Sequence, residues 1–190
     1  MSRLSLLDLA FFLTESEQSP KHVAGLMIFK KPANSSARWV HNLAEELAKH
    51  DKPVPPFNQV IDFRALGGPR WRTAENFAIE DHLFYHNPDT ALSERELFAY
   101  CAGLHEPLMD RSKPMWEYHI IDRVAGDRFA VLAPHFERSG MGARAMAMTQ
   151  RLHLGKHCRR RFPARLEPET SPVWQPPSQS AAQVLSFGCG

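Results

Sequence analysis

The chain has few cysteines, no long uncharged apolar run and almost no net charge. Its 190 residues include 3 cysteines, Cys101, Cys158 and Cys189, an odd and widely spaced set that does not suit the disulfide framework of a small secreted domain. The apolar N-terminal run is interrupted by Asp8, which argues against a signal peptide or a membrane span. We therefore expect a cytoplasmic protein, with peripheral contact to a membrane or lipid droplet left open.

The near-equal numbers of basic and acidic residues also limit the kinds of binding partner that the sequence predicts. The formal net charge is +2, from 23 basic and 21 acidic residues, so the sequence as a whole does not predict binding to nucleic acid. Hydrophobic residues make up 43% of the chain, enough for one substantial core. The basic run at residues 159–161 is interpreted as a solvated patch, with contact to anionic lipid or RNA as the alternative.

Short apolar segments predict four strands. Residues 22–29 predict a mostly buried strand, and residues 57–63 predict another before the turn at residues 67–69. Residues 116–121 and 128–133 are separated by the turn Ala125-Gly126-Asp127, which predicts a β-hairpin. The second hairpin strand leads directly to His135.

Helical spacing of apolar residues predicts two complete helices. Ser35 or Ser36 can cap the first, and Ser93 with Glu96 has the spacing of a capping box at the start of the second. The apolar faces predicted for the two helices are Trp39, Val40, Leu43 and Leu47, and Leu97, Tyr100, Cys101 and Leu104. A third helix is predicted to begin at residues 141–150.

The pattern changes near residue 150. Residues 151–190 contain a His/Arg cluster followed by scattered prolines, without helical or strand periodicity, which predicts a disordered Pro/Arg-rich tail. Because the helix that begins near Met141 is cut off in mid-pattern, a shifted reading frame is a second interpretation of this tail. We accordingly divide the chain into residues 1–150 and residues 151–190.

Three stretches together match a known pattern. They are residues 4–12 (LSLLDLAFF), residues 22–26 (HVAGL) and residues 107–117 (PLMDRSKPMWE). The last is similar to a PLDRxxPLWE motif, with one inserted residue and with Met115 in place of the leucine of its PLW element. Taken together, residues 4–150 resemble about the first third of a bacterial wax ester synthase/acyl-CoA:diacylglycerol acyltransferase.

This resemblance implies a fold and an activity. The implied fold is α/β (α+β) and chloramphenicol acetyltransferase-like, with two halves of mixed sheet and helices that enclose a tunnel, as in condensation domains. Residues 1–150 would be a truncated N-terminal acyltransferase half-domain, and a complementary C-terminal half is an expected partner. The implied activity is transfer of a long-chain acyl group from acyl-CoA, a co-substrate, to a fatty alcohol or diacylglycerol, without a cofactor.

The same resemblance places residues 134–140 on the family's HHxxxDG motif. Its first histidine falls on Pro134, its second on His135 and its aspartate on Ser139, while Gly140 is retained. The resemblance implies that His135 is the general base, since an attacking alcohol must lose its proton and imidazole titrates near neutrality. With Pro134 and Ser139 at those positions and no second half recognised, we expect weak or absent transferase activity from this chain by itself.

Less specific interpretations stay open for the same residues. By position alone, His135 could be a histidine that merely hydrogen-bonds a backbone carbonyl. Pro114, Met115 and Trp116 are interpreted as tunnel or structural residues. At the level of function, the alternatives are a non-catalytic remnant or binding half-domain, and a condensation-like enzyme that acts on carrier-bound acyl groups.

Other candidate sites have little support, and no metal site is expected. His82 and His86 have i, i+4 spacing without the helix and acidic partner of a metalloprotease motif. A second cluster of possible zinc ligands lies in the tail, at His153, His157 and Cys158. Three serines lack the surroundings of a nucleophile elbow: Ser5, Ser93 and Ser112.

Overall fold

The computed structural model, which describes residues 3–136, contains a four-stranded sheet with one helix packed on each face and a separate two-stranded sheet. The helices are α1 Leu6–Thr14, α2 Trp39–Ala48 and α3 Glu94–His105. The strands are β1 His22–Lys30, β2 Gln59–Asp62, β3 Arg70–Thr73, β4 Leu83–His86, β5 Tyr118–Val124 and β6 Arg128–Phe136. A 3-10 turn at Ile79–Asp81 precedes β4.

The larger sheet is mixed and has the strand order β1-β6-β5-β4. Strand β6 is antiparallel to both of its neighbours, whereas β4 is parallel to β5. The predicted hairpin is confirmed, and its turn places Gly126 at φ 82° and Asp127 at φ 57°, a left-handed region that glycine enters without a steric penalty. Because β6 runs three residues beyond the predicted end, His135 lies inside the strand.

Alternation along β6 divides the apolar core into two layers. Phe129, Val131 and Ala133 pack in the layer that includes α2, while Ala130 and Leu132 pack in the layer that includes α3. Side chains of a strand point alternately to opposite faces, so one apolar strand supplies both layers. The sheet is thereby covered on both faces by apolar layers.

A third apolar cluster joins α1 to the small β2–β3 sheet. It contains Phe12, Trp71, Met109 and Met115. Helix α1 starts after Ser5, whose hydroxyl accepts from the Asp8 N–H at 3.0 Å. Within residues 3–136, none of the helices is sufficiently long and apolar to cross a bilayer.

Helix predictions succeed where the signal is local. The capping box of α3 is present, with both Ser93 and Glu96 contributing side-chain bonds. Tyr100 was placed on the buried face of α3, but this is wrong, because 37% of the residue is exposed. The predicted cap of α2 is also wrong. Arg38 occupies that position without a side-chain bond, and Ser36 contributes only its carbonyl to the Trp39 N–H.

Strand predictions differ from the structure in burial and extent. Strand β1 is mostly half-buried, not mostly buried, because it lies at the edge of the described sheet. The segments predicted at 57–63 and 116–121 are strands at Gln59–Asp62 and Tyr118–Val124. Helix α1 and strands β3 and β4 were not predicted. The third helix, the tail, and the candidate residues Ser139, Gly140, His153, His157, Cys158 and 159–161 lie outside the described residues.

Leu97 offers a test of how α3 packs. It is fully buried at 0% exposure, so Leu97→Ala should leave a cavity and lower the free energy of unfolding by about 2–5 kcal/mol. The adjacent Phe98 is 54% exposed, and Phe98→Ala should cost less than about 1 kcal/mol. Urea denaturation of the 190-residue chain measures both changes, and equal losses would contradict the placement of this helix.

Candidate active site

His135 lies one residue before the end of β6, between two neighbouring chain segments. It pairs with Val23 of β1 on one side and forms an isolated antiparallel bridge with Trp116 on the other. Only 6% of the residue is exposed. Backbone pairing on both sides therefore fixes the position of this histidine more firmly than a loop would.

A single hydrogen bond defines the chemistry of the His135 ring. Its Nδ1 is 3.1 Å from the carbonyl oxygen of Ala133. A carbonyl oxygen accepts but cannot donate, so Nδ1 carries the hydrogen and the neutral ring has its lone pair on Nε2. That Nε2 atom is buried and has no hydrogen-bond partner in the described part of the chain. An oriented imidazole with an open lone pair can accept a proton.

The hydrogen bond from His135 to a backbone carbonyl, which the structural interpretation of this residue predicts, is therefore present. The other ring nitrogen, Nε2, has no hydrogen-bond partner within residues 3–136. The bond to Ala133 occupies Nδ1 alone. A histidine with a purely structural role more commonly has each buried ring nitrogen satisfied, because an unpaired buried polar atom costs free energy. Within residues 3–136, His22, His41 and His105 also have a buried Nδ1 without a hydrogen-bond partner. The unpaired Nε2 therefore favours a chemical role for His135 only together with the motif position that the resemblance implies.

Pro134 contributes backbone to this site and no polar side-chain atom. It is paired with Ala24 of β1, and its carbonyl accepts from the Glu117 N–H at 2.9 Å. A proline has neither an N–H nor a side-chain donor or acceptor. Pro134 is thus held in place by backbone pairing in the sheet, and its side chain cannot take part in proton transfer.

Trp116, which pairs with His135, forms hydrogen bonds to two other segments of the chain. Its indole Nε1–H donates to the Phe57 carbonyl at 2.7 Å, and its own carbonyl accepts from His82 Nδ1 at 2.9 Å. The His82 ring stacks on the indole with 4.5 Å between centroids. Burial lowers the pKa of His82 below its usual value, so this ring is neutral and structural.

The neighbours of Trp116 in the sequence are buried as well. Met115 belongs to the cluster beneath α1, and Pro114 supplies the carbonyl that accepts the Trp116 N–H at 2.9 Å. His86, the sequence partner of His82, has a different neighbour, since its Nε2 lies 3.0 Å from His119 Nδ1. Within residues 3–136, no group of three or more His, Cys, Asp or Glu side chains is placed to hold a metal ion.

A cleft of about 310 Å³ opens beside Trp116. Its lining consists of Glu80, Asp81, His82, Phe84, Met109, Asp110, Lys113, Pro114, Met115, Trp116 and Glu117. The ammonium of Lys113 contacts Asp81 at 2.7 Å, which raises the Lys113 pKa. Four carboxylates against one ammonium make the cleft unfavourable for phosphates. The apolar side chains and the excess negative charge of the lining suit a neutral ligand better than an anionic one.

A polar network that was not predicted from the sequence lies at the same end of the sheet. His22 donates from Nε2 to the carbonyl of His105 at 2.8 Å, and its Nδ1 lies 3.6 Å from Glu15. Arg111 contacts the buried Glu15 carboxylate at 3.1 Å. The network ties the end of α1 to β1, to the end of α3 and to the segment before β5. Two of these residues, His22 and Arg111, lie in stretches that support the family resemblance, 22–26 and 107–117, and that was the available signal.

Burial changes the pKa of one histidine in this network, His105. It lowers the pKa of His105 from 6.5 to about 4, with smaller contributions from His22 and His135. The unfolded chain therefore binds more protons than the folded chain between these values, and stability must fall as the pH drops through that window.

Removing the His105 imidazole should weaken this pH dependence. We expect the free energy of unfolding of the 190-residue chain to decrease between pH 6.5 and about 4, with a shallower slope for His105→Asn. His50→Asn, at an exposed position after α2, is the control and should retain the wild-type slope. Urea denaturation across this range gives the comparison, and identical slopes for His105→Asn and wild type would refute the assignment.

Comparisons with known proteins find one family across most of the chain. A family model of the wax ester synthase/diacylglycerol acyltransferase catalytic domain matches residues 4–186. The O-acyltransferase WSD of Acinetobacter baylyi is 36% identical over 136 residues, which cover 69% of this chain and 28% of the relative. A probable diacylglycerol O-acyltransferase of Mycobacterium tuberculosis is 30% identical over 148 residues, 76% of this chain and 32% of the relative. The chain spans about a third of the length of these relatives.

Solved structures agree with the fold. The wax ester synthase/diacylglycerol acyltransferase from Marinobacter aquaeolei VT8 aligns with a TM-score of 0.72 at 34% identity, covering 80% of this chain and 36% of that one. The starter condensation domain of rhizomide synthetase, as a mutant solved with C8-CoA, has a TM-score of 0.58 at 11% identity over 86% of this chain and 38% of that one. The second likeness concerns the fold alone. The predicted mixed α/β fold is confirmed.

Proposed function

The chain belongs to the wax ester synthase/diacylglycerol acyltransferase family, and from that premise we propose that it carries the base-bearing part of an O-acyltransferase. The proposed donor is a long-chain acyl-CoA, and the proposed acceptor is a fatty alcohol or diacylglycerol. The observation that carries the proposal is the buried Nε2 of His135, which has no hydrogen-bond partner among residues 3–136, on a ring oriented by its bond to Ala133.

The proposed chemistry needs one proton acceptor and no cofactor. The acceptor alcohol gives its proton to His135 Nε2 while its oxygen forms a bond to the thioester carbonyl carbon. The Nδ1–H bond to the Ala133 carbonyl stabilises the resulting imidazolium, because a charged donor makes the stronger hydrogen bond. When the tetrahedral intermediate collapses, the C–S bond breaks and the CoA sulfur takes the proton from Nε2. The ester is released and the ring is neutral again.

The acidic cleft beside Trp116 bears on how the two substrates are arranged. Its carboxylates would repel the phosphates of CoA, whereas an alcohol or diacylglycerol carries no charge. We place the neutral acceptor on the side of this cleft, with Pro114, Met115 and Trp116 as its apolar wall. Acyl-CoA would then approach His135 from a different direction.

Domain organisation and location form part of the same proposal. Residues 1–150 act as an N-terminal half-domain that needs a complementary C-terminal half, which the greater length of the relatives supports. The boundary at 150 stays a prediction, since the family match extends to residue 186. The proposed location is cytoplasmic, with peripheral contact to a membrane or lipid droplet. Exposed leucines of α1, among them Leu6 at 88% and Leu13 at 68%, support the peripheral contact.

Two assays test the role of His135. For the 190-residue chain alone, we expect weak or absent turnover of long-chain acyl-CoA with fatty alcohol or diacylglycerol, because one tunnel wall does not hold two lipids in reacting geometry. Residues 4–136 grafted in place of the matching segment of the Marinobacter aquaeolei enzyme should transfer acyl groups. In this chimera, His135→Ala should lower kcat/KM by about 10²–10⁴-fold.

The matched control is His50→Ala in the same chimera, which should retain full activity because His50 is exposed. A folded and active chimera that tolerates His135→Ala would refute the assigned base. A folded chimera that binds acyl-CoA without turnover would instead favour the non-catalytic alternative. Robust turnover by the 190-residue chain alone would contradict the need for a second half.

A further inference from the structure

Four side chains form a continuous hydrogen-bonded row along β4, β5 and α3. Tyr100 Oη lies 3.0 Å from His86 Nδ1, and His86 Nε2 lies 3.0 Å from His119 Nδ1. His119 Nε2 lies 2.8 Å from the carboxylate of Glu117. Tyr100 is 37% exposed and His119 only 5%, so the row leads from the surface through a buried imidazole to the cleft that Glu117 lines.

The donor and the acceptor of each hydrogen bond in the row can be assigned by starting from the Glu117 carboxylate. An ionised carboxylate can only accept, so His119 donates from Nε2 and, as a neutral ring, accepts at Nδ1. His86 must then donate from Nε2 and accept at Nδ1, which leaves the Tyr100 hydroxyl as the donor. With both imidazoles neutral, every ring nitrogen in the row has a partner of the correct kind.

A single added proton reverses two of the three bonds in this row, those of His86 to His119 and to Tyr100. If His119 gains a hydrogen on Nδ1, it donates to His86 Nε2, and the His86 hydrogen must move to Nδ1 and point to the Tyr100 oxygen. The hydroxyl hydrogen of Tyr100 then turns to solvent. A second proton has no place, because two N–H groups would face each other across the 3.0 Å between the rings. The pair can therefore bind one proton but not two.

The groups around the pair act on its charge in different directions, since burial disfavours a charged imidazole and nearby carboxylates favour it. Burial and the neighbouring His119 lower the pKa of His86. Beside Glu117, the cleft contributes Glu80, Asp81, Asp110 and Lys113. Leu132 of β6 is opposite His119, and the ring of Phe84 stacks on His119 with 5.0 Å between centroids, so these two neighbours add no charge.

We propose that Tyr100, His86, His119 and Glu117 form a one-proton switch that sets the charge at the wall of the cleft that Glu117 lines. In the neutral state Glu117 accepts from a neutral imidazole. After uptake of one proton it is paired with an imidazolium, and the cleft loses one unit of negative charge. The Glu117 N–H holds the Pro134 carbonyl at 2.9 Å, so the switch adjoins His135. Its effect on acyl transfer rests on the proposed function, whereas the switch itself does not.

Nitrogen-15 NMR of histidine-labelled 190-residue chain tests the switch without any acyl substrate. Asparagine variants of His86 and His119 assign the signals. At about pH 7.5, both rings should be neutral with the hydrogen on Nε2, and towards about pH 5 the pair should take up one proton in total. The exposed His50, which lies outside the row, provides the reference signal.

Glu117→Gln provides the matched variant. The amide oxygen still accepts from His119, but the negative charge that favours the imidazolium is gone, so the midpoint of proton uptake should move to lower pH. The proposal is refuted if both rings become fully charged at about pH 5 while the chain stays folded. It is also refuted if either neutral ring carries its hydrogen on Nδ1, and the wild-type spectra decide both points even if the variant does not fold.

Discussion

The hydrogen bond between His135 Nδ1 and the Ala133 carbonyl is the constraint on which the proposed chemistry depends. It joins two residues of the same strand, so β6 itself supplies both the ring and the group that orients it. By holding the hydrogen on Nδ1, the bond leaves the lone pair on the buried Nε2, which has no hydrogen-bond partner in the described part of the chain. Without this bond, the ring could present an N–H instead of a lone pair, and the same residue would be a donor.

The rest of the described fold serves to keep that strand in place. Strand β1 pairs along all of β6, β5 pairs with it from the other side, and apolar layers containing α2 and α3 cover the two faces. Trp116 closes the end of the sheet next to His135 through its bonds to Phe57 and His82. The separate tie between Arg111 and the buried Glu15 secures the segment that leads to Trp116. These contacts place His135 on a rigid backbone, which holds a catalytic side chain in a defined geometry.

Local signals in the sequence were enough for part of this structure. The capping box at Ser93 and the turn at Gly126 depend on a few adjacent residues, and the structure contains both. The parallel pairing of β4 with β5 joins residues about 35 positions apart, which periodicity does not reveal. The row from Tyr100 to Glu117 depends on that pairing and was missed for the same reason. His135 is identified by a motif resemblance, but the orientation of its ring depends on a hydrogen bond to Ala133 that the sequence does not reveal.

The state of the His135 ring is the most direct test of the account. Nitrogen-15 chemical shifts of the ring, assigned by comparison with His135→Asn, distinguish the two neutral forms. The account predicts a hydrogen on Nδ1 and a lone pair on Nε2 in the neutral ring. A neutral ring with its hydrogen on Nε2 would contradict it, because the nitrogen assigned as the base could then only donate.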